Sequence, residues 1–107
     1  MILYQLKLIN KNFILKNEDG KTPLHVTVSN EHHKAADYLV NHGADIEAQD
    51  KKGKRALHFA IDSDSEKMTD ALLKWGADPF ALDLEERSYA QIAIVRQKWR
   101  TFKSLVK

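Results

Sequence analysis

The feature that most constrains this chain is a period of 33 residues. Gly20 and Gly53 stand 33 positions apart, as do Leu24 and Leu57, His25 and His58, Leu39 and Leu72, Gly43 and Gly76, Ala44 and Ala77, and Asp45 and Asp78. Matches at this many positions in one register define a repeated supersecondary unit, which buries its apolar face only by stacking on its neighbours. The register continues past the second copy, where Ser88, Ala93 and Leu105 follow Arg55, Ala60 and Leu72 at the same spacing, although most identities are gone. Backwards, Leu6 precedes Leu39, and Asn10, Lys11 and Asn12 precede Gly43, Ala44 and Asp45. The sequence is therefore expected to open inside a repeat.

Local chemistry divides each period into two short helices. Thr22 supplies a capping oxygen for the first helical turn, and Pro23 suits the first helical position, where no donor is needed. Arg55-Ala56 replaces that pair in the second copy, at a cost of about 1 kcal/mol, while Ser88 restores a capping hydroxyl in the third. The first helices are expected over Pro23–Ser29, Ala56–Asp62 and Tyr89–Val95, with Leu24, Val28, Leu57, Ile61, Ile92 and Ala93 facing inward. The second helices are expected over His33–Asn41, Glu66–Lys74 and Trp99–Val106, packing through Ala36, Leu39, Val40, Leu72, Leu73, Phe102 and Leu105. Gly43 and Gly76 then stop the second helix by accepting the left-handed backbone after a helix end.

Asp19-Gly20-Lys21-Thr22-Pro23-Leu24-His25, followed by Leu39-Val40-Asn41-His42-Gly43-Ala44-Asp45, resembles an ankyrin repeat. The resemblance implies an all-α solenoid of helix-turn-helix pairs joined by β-hairpin-like loops over Asp45–Gly53 and Asp78–Glu86. It implies one domain, 1–107, made of a partial repeat 1–16, repeats 17–49 and 50–82, and a divergent C-terminal capping repeat 83–107. His25 and His58 fall where the family uses an imidazole to tie down backbone. Glu31, Asp64 and Gln97 occupy a position that the family gives to glycine between paired helices, so rearranged or strained turns are expected there. The asparagine hydroxylation common in the family is not expected, because the matching positions are Ile14, Glu47 and Phe80.

Composition narrows the function. The chain has no cysteine, which removes disulfides, thiolate metal sites and a cysteine nucleophile. His32 and His33 diverge on a helix and the histidines show no i, i+4 pair, so a metal site is not expected. Glu85 and Glu86 read as a solvated edge, and neither a nucleophile nor a phosphate loop accompanies them. Met1 to Ile9 is apolar but interrupted by Gln5 and Lys7, so neither a secretion signal nor a span is expected. A non-catalytic protein without cofactors, in a cytoplasmic setting, is the expectation.

The formal charge of +2 hides an uneven distribution: residues 17–50 carry seven acidic and two basic groups, whereas 84–107 carry six basic and two acidic. The resemblance implies that hairpin tips and first helices grip another protein as a scaffold or adaptor would. Carried over position by position, the candidates are Lys16, Glu18, Asp19, Lys21, Ser29 and Asn30, then Gln49, Lys51, Lys52, Lys54, Asp62 and Ser63. In the third repeat they are Leu82, Leu84, Glu85, Arg87, Val95 and Arg96, the apolar three standing beside two arginines. Two alternatives compete. One is a basic module for nucleic acid or anionic membrane, using Lys51–Arg55 and Arg96, Lys98, Arg100, Lys103 and Lys107; neither partner is expected, because hairpin tips in the family are ordinarily charged and wet, no aromatic interleaves the lysines, Asp50 sits beside them, and Trp75 and Trp99 read as packing residues. The other is self-association, or further repeats, through the apolar face around Ile2, Leu6 and Ile9.

Overall fold

The computed structural model describes residues 16–107, so the expectations for Ile2, Leu6, Ile9 and Ile14 lie outside the described residues. Six helices follow one another as three pairs: α1 (Pro23–Ser29) and α2 (His33–Asn41), α3 (Ala56–Asp62) and α4 (Glu66–Lys74), α5 (Tyr89–Val95) and α6 (Trp99–Leu105). The bounds agree with the sequence pattern except at the last helix, which ends at Leu105 with Val106 as its cap. Among the described residues there is no strand, only an isolated bridge between Leu82 and Ser88, so the hairpin-like loops are tight turns rather than sheet. None of the described helices is long and apolar enough to cross a membrane.

Capping explains where the first helices begin. Thr22 Oγ1 accepts from His25 N–H, and His25 Nδ1 accepts from Thr22 N–H, a reciprocal box with histidine in the place usually held by glutamate or glutamine. Ser88 and Gln91 form the same box at α5. Arg55 offers α3 no side-chain cap, as the sequence implied. Burial replaces it: every residue from Ala56 to Ile61 is buried, and each large apolar side chain removed from water is worth about 1.5–3 kcal/mol.

The turns between paired helices keep one geometry in all three repeats. Glu31, Asp64 and Gln97 have φ of 58°, 49° and 57°, and their N–H groups donate to Val28, Ile61 and Ile94 O at 3.0, 2.8 and 3.0 Å. Of the two expected outcomes the turns show strain rather than rearrangement: the left-handed backbone is kept at a cost of about 1–2 kcal/mol per residue. Asp64 gains a compensation, because its Oδ1 accepts from Thr101 N–H at 3.2 Å and from Thr101 Oγ1 at 3.3 Å in the next repeat. Gly43 and Gly76 end α2 and α4 with φ of 93° and 106°.

The core runs along the stack. Leu24, Val28, Leu57, Ala60, Ile61, Ile92 and Ala93 of the first helices meet Ala36, Met68 and Leu72 of the second, with Leu39, Val40, Leu73, Phe102 and Leu105 partly buried against them. In the outer layer α4 packs closely on α6, whereas α2 and α4 diverge around a groove of about 380 Å³ that includes His33, Ala71 and Trp75.

Candidate functional site

Each hairpin turn is built on a side chain of the Asn17, Asp50, Asp83 series, again 33 apart. Asn17 Oδ1 accepts from Asp19 and Lys21 N–H at 2.9 and 3.0 Å; Asp50 Oδ1 accepts from Lys52 and Lys54 N–H at 2.9 and 2.8 Å; Asp83 Oδ1 accepts from Glu85 and Arg87 N–H at 2.9 and 2.8 Å. An acceptor that takes two backbone donors fixes the loop and aims its following side chains outward. Burial would raise the Asp83 carboxyl, but the Arg87 backbone and guanidinium and the Glu85 N–H outweigh it and hold the group below its usual range. The position after two of these tips is Gly20 or Gly53; in the third it is Glu86, at φ 62°. Sequence reasoning missed the Asn17, Asp50, Asp83 series, although the spacing was available as a signal.

Neighbouring hairpins are tied side by side. Lys51 N–H donates to Asp19 O at 3.0 Å, Lys16 Nζ donates to Gln49 O at 3.2 Å, and Arg55 Nη1 donates to Leu82 O at 3.1 Å. Glu47 is a clasp, with Oε1 3.4 Å from Arg55 Nε and Oε2 accepting from Asp78 N–H at 2.7 Å. Arg55, a poor cap, is thus used to join the second and third loops. The result is an edge of turns beside the first helices, on which Glu18, Asp19, Gln49, Lys51, Lys52, Leu82, Leu84 and Glu85 are all exposed.

The other candidates divide by partner. Asp62, at the end of α3, is joined by Arg96, by Lys54 Nζ at 4.0 Å and by His58 Nε2 at 3.9 Å, so its charge and that of Arg96 are answered within the stack. Arg87 bonds Asp83 Oδ2 at 2.9 Å and Glu85 Oε1 at 3.0 Å inside its own hairpin. Ser63 Oγ donates to Ser29 O at 3.4 Å, and Ser29 and Asn30 are exposed at the end of α1. Lys21 is half-buried. Leu84 is 70% exposed while its side chain lies against Gly53 in the preceding hairpin, and Val95, 75% exposed, stands at the far end of α5, about 10 Å of helix away.

The histidines differ from one another. His25 is buried and its Nε2–H donates to Ala48 O at 2.8 Å, since Nδ1 is an acceptor; burial lowers its pKa, with the Ala48 carbonyl and Asp50 opposing and Lys16 and Lys21 assisting. His58 does not tie down backbone through its Nε2, contrary to expectation. That atom is buried without a hydrogen bond, and burial lowers the ring's pKa, with Asp62 opposing and Lys54 and Arg96 assisting. His42 is half-covered, stacking on Tyr38 at 3.9 Å with Nδ1 2.7 Å from Tyr38 O. His33 meets the Trp75 ring at 5.5 Å. Among the described residues, no three histidine, aspartate or glutamate side chains form a group that would hold a metal ion.

Two aromatic side chains depart from the sequence reading. Trp75 packs on the core as expected, but Trp99 is 53% exposed on α6, touching Phe102 edge-on at 6.2 Å. Phe80, 83% exposed after the second helix pair, was not among the candidates. Compared with known proteins, the chain matches a family model described as ankyrin repeats (3 copies) over residues 2–83. No curated protein matches it. Helices α5 and α6 lie beyond the matched span yet repeat the same paired arrangement.

Proposed function

The chain belongs to the ankyrin-repeat family, and from that membership we propose that it is a non-catalytic module that binds a partner protein along its hairpin edge and first-helix face. Ankyrin repeats are in general protein–protein interaction modules. The observation that carries the reading for this chain is Leu84: a large apolar side chain, 70% exposed, at the tip of a hairpin whose charged neighbours Asp83, Glu85 and Arg87 bond one another. An exposed leucine on a fixed, internally satisfied loop gains by being covered by another surface. Leu82 is a second exposed apolar side chain in that hairpin, Val95 a separate one at the far end of α5, and Lys51, Lys52, Glu18 and Asp19 supply the variable charged rim. Repeats 17–49, 50–82 and 83–107 each contribute one hairpin or first helix to it. A cytoplasmic scaffold role follows from the same reading.

The test is capture of partner from a cell extract by wild-type chain and by Leu84→Asp, with thermal melting of both. Loss of capture at an unchanged melting temperature supports the edge. Unchanged capture with a lowered melting temperature makes Leu84 a packing residue and removes it from the site.

One observation favours a second reading. Trp99 is exposed on the helix that carries Arg100 and Lys103, and an amphipathic aromatic beside cations suits an anionic surface. Binding of that kind falls steeply with salt. A flat salt response of partner binding disposes of it.

A further inference from the structure

Between the first two hairpins lies a cleft of about 160 Å³, walled by Lys21, Lys51, Lys52 and Lys54 and by Asp19 and Asp50, with Phe59 also lining it. Phe59 is only 6% exposed, so it closes the inner end. Lys21 Nζ lies 5.3 Å and Lys54 Nζ 6.0 Å from the centroid of its ring. The ring face attracts each ammonium, yet two like charges over one ring repel one another. Lys54 is 4.0 Å from Asp62, while Lys21, Lys51 and Lys52 form no ion pair among the described residues. Neither carboxylate of the cleft answers them: Asp50 Oδ1 is held by two backbone N–H groups, and Asp19 forms no ion pair among the described residues.

We propose that this cleft receives the carboxylate of a glutamate or aspartate on an acidic segment of the partner protein, a proposal that rests on the partner-binding reading above. The cleft's volume of about 160 Å³ is on the scale of a single side chain and Phe59 makes its inner end apolar, so the methylenes of glutamate would lie along Phe59 and the lysine stems while the carboxylate meets the ammonium groups. Exposed Asp19 in the wall, with exposed Glu18 beside it in sequence, confines the positive region. A polyphosphate chain or a lipid surface would bring its next charges against those carboxylates; a polypeptide need not. The following hairpin pair lacks the feature, since Leu84 and Glu85 stand where Lys51 and Lys52 do and Arg87 is bonded within its own turn.

The probe is a short end-blocked peptide of alternating glutamate and alanine, titrated into the isotope-labelled chain and followed by NMR, with its glutamine counterpart as control. Expected are shifts centred on Lys21, Lys51, Lys52 and the Phe59 ring, and a loss of about tenfold or more in affinity for Lys21→Glu/Lys52→Glu. Arg100→Glu/Lys103→Glu should change affinity less than about twofold, since those cations lie on α6. Lys52→Gln, at an exposed position, keeps the fold and should weaken binding in the same direction. Equal binding of the glutamine peptide, shifts centred on α6, or stronger competition for the cleft by a DNA duplex or phosphatidylserine vesicles would each overturn the proposal. If the peptide fails while Leu84→Asp still abolishes partner capture, the acidic partner is wrong and the edge stands. Peptide binding at the cleft with capture untouched by Leu84→Asp has the opposite meaning.

Discussion

The junction between the first and second repeats and the junction between the second and third share a backbone but are held by different side chains. At the first, His25 closes the α1 cap and reaches Ala48 O, and Lys51 N–H bonds Asp19 O across the hairpins. At the second, His58 has the same buried position but its Nε2 makes no hydrogen bond, and Arg55, clasped by Glu47, reaches Leu82 O instead. Gly20 opposes the Lys51 backbone, whereas Gly53 opposes the side chain of Leu84. A repeat therefore fixes the path of the chain without fixing the chemistry of its seams. The seam closed by His25, Lys16 and a backbone hydrogen bond leaves a cationic cleft, and the seam closed by Arg55 and Glu47 leaves an exposed leucine.

The equivalence of the two histidines breaks most sharply on substitution. His25→Phe leaves Thr22 N–H and Ala48 O without their partner and should cost about 2–3 kcal/mol. His58→Phe removes an unsatisfied buried nitrogen and should stay within about 0.5 kcal/mol, because only a 3.9 Å approach to Asp62 is lost. Denaturant melts of both variants measure the difference, and equal losses would show that the seams are alike. The glycines come next. A Cβ at Gly20 would lie 2.9 Å from Lys51 N, backbone that must shift, so Gly20→Ala should cost about 2 kcal/mol. At Gly53 the Cβ meets Leu84, whose exposed side chain can swing aside, so Gly53→Ala should cost about 1 kcal/mol and weaken partner binding by displacing Leu84.

The smallest effect is on acid stability. Burial holds both imidazoles below their ordinary 6.5, so well above that pH they are uncharged in the folded and the unfolded chain alike. As pH falls below about 6.5 the unfolded chain takes up protons first, and stability is lost until the lowered folded values are reached. The melting temperature should fall over that interval, and His58→Phe should flatten the fall by removing one of the two groups. An unaltered profile in that variant would assign the acid sensitivity elsewhere.

Much of the fold was legible because turns and apolar positions recur at fixed spacing. The helix bounds around Thr22-Pro23, Ser88, Gly43 and Gly76 follow from capping rules and the period alone. What periodicity does not carry is the exchange of one interaction for another. Arg55 reads as a lost cap, and only its approach to Glu47 and Leu82 O shows it as a clasp. Glu31 and Gln97 read as misfits, yet the turns hold both in the left-handed region, each N–H donating to a carbonyl three residues back. Trp99 has the spacing of a packing residue but lies half in solvent, because spacing sets the face of a helix and not what covers that face. Of the candidate edge residues, the sequence identified positions but not bonding: Asp62, Arg87 and Arg96 are tied within the stack, while Leu84, Lys51 and Lys52 are not.

The most direct measurement is amide hydrogen exchange of the chain alone and in complex with the protein it captures. Added protection over residues 50–54 and 82–88 and at the ends of α3 and α5, with the outer faces of α2 and α4 unchanged, is expected if the hairpin edge binds the partner. Protection gained on α2, α4 or α6 with the hairpins unaltered would contradict it.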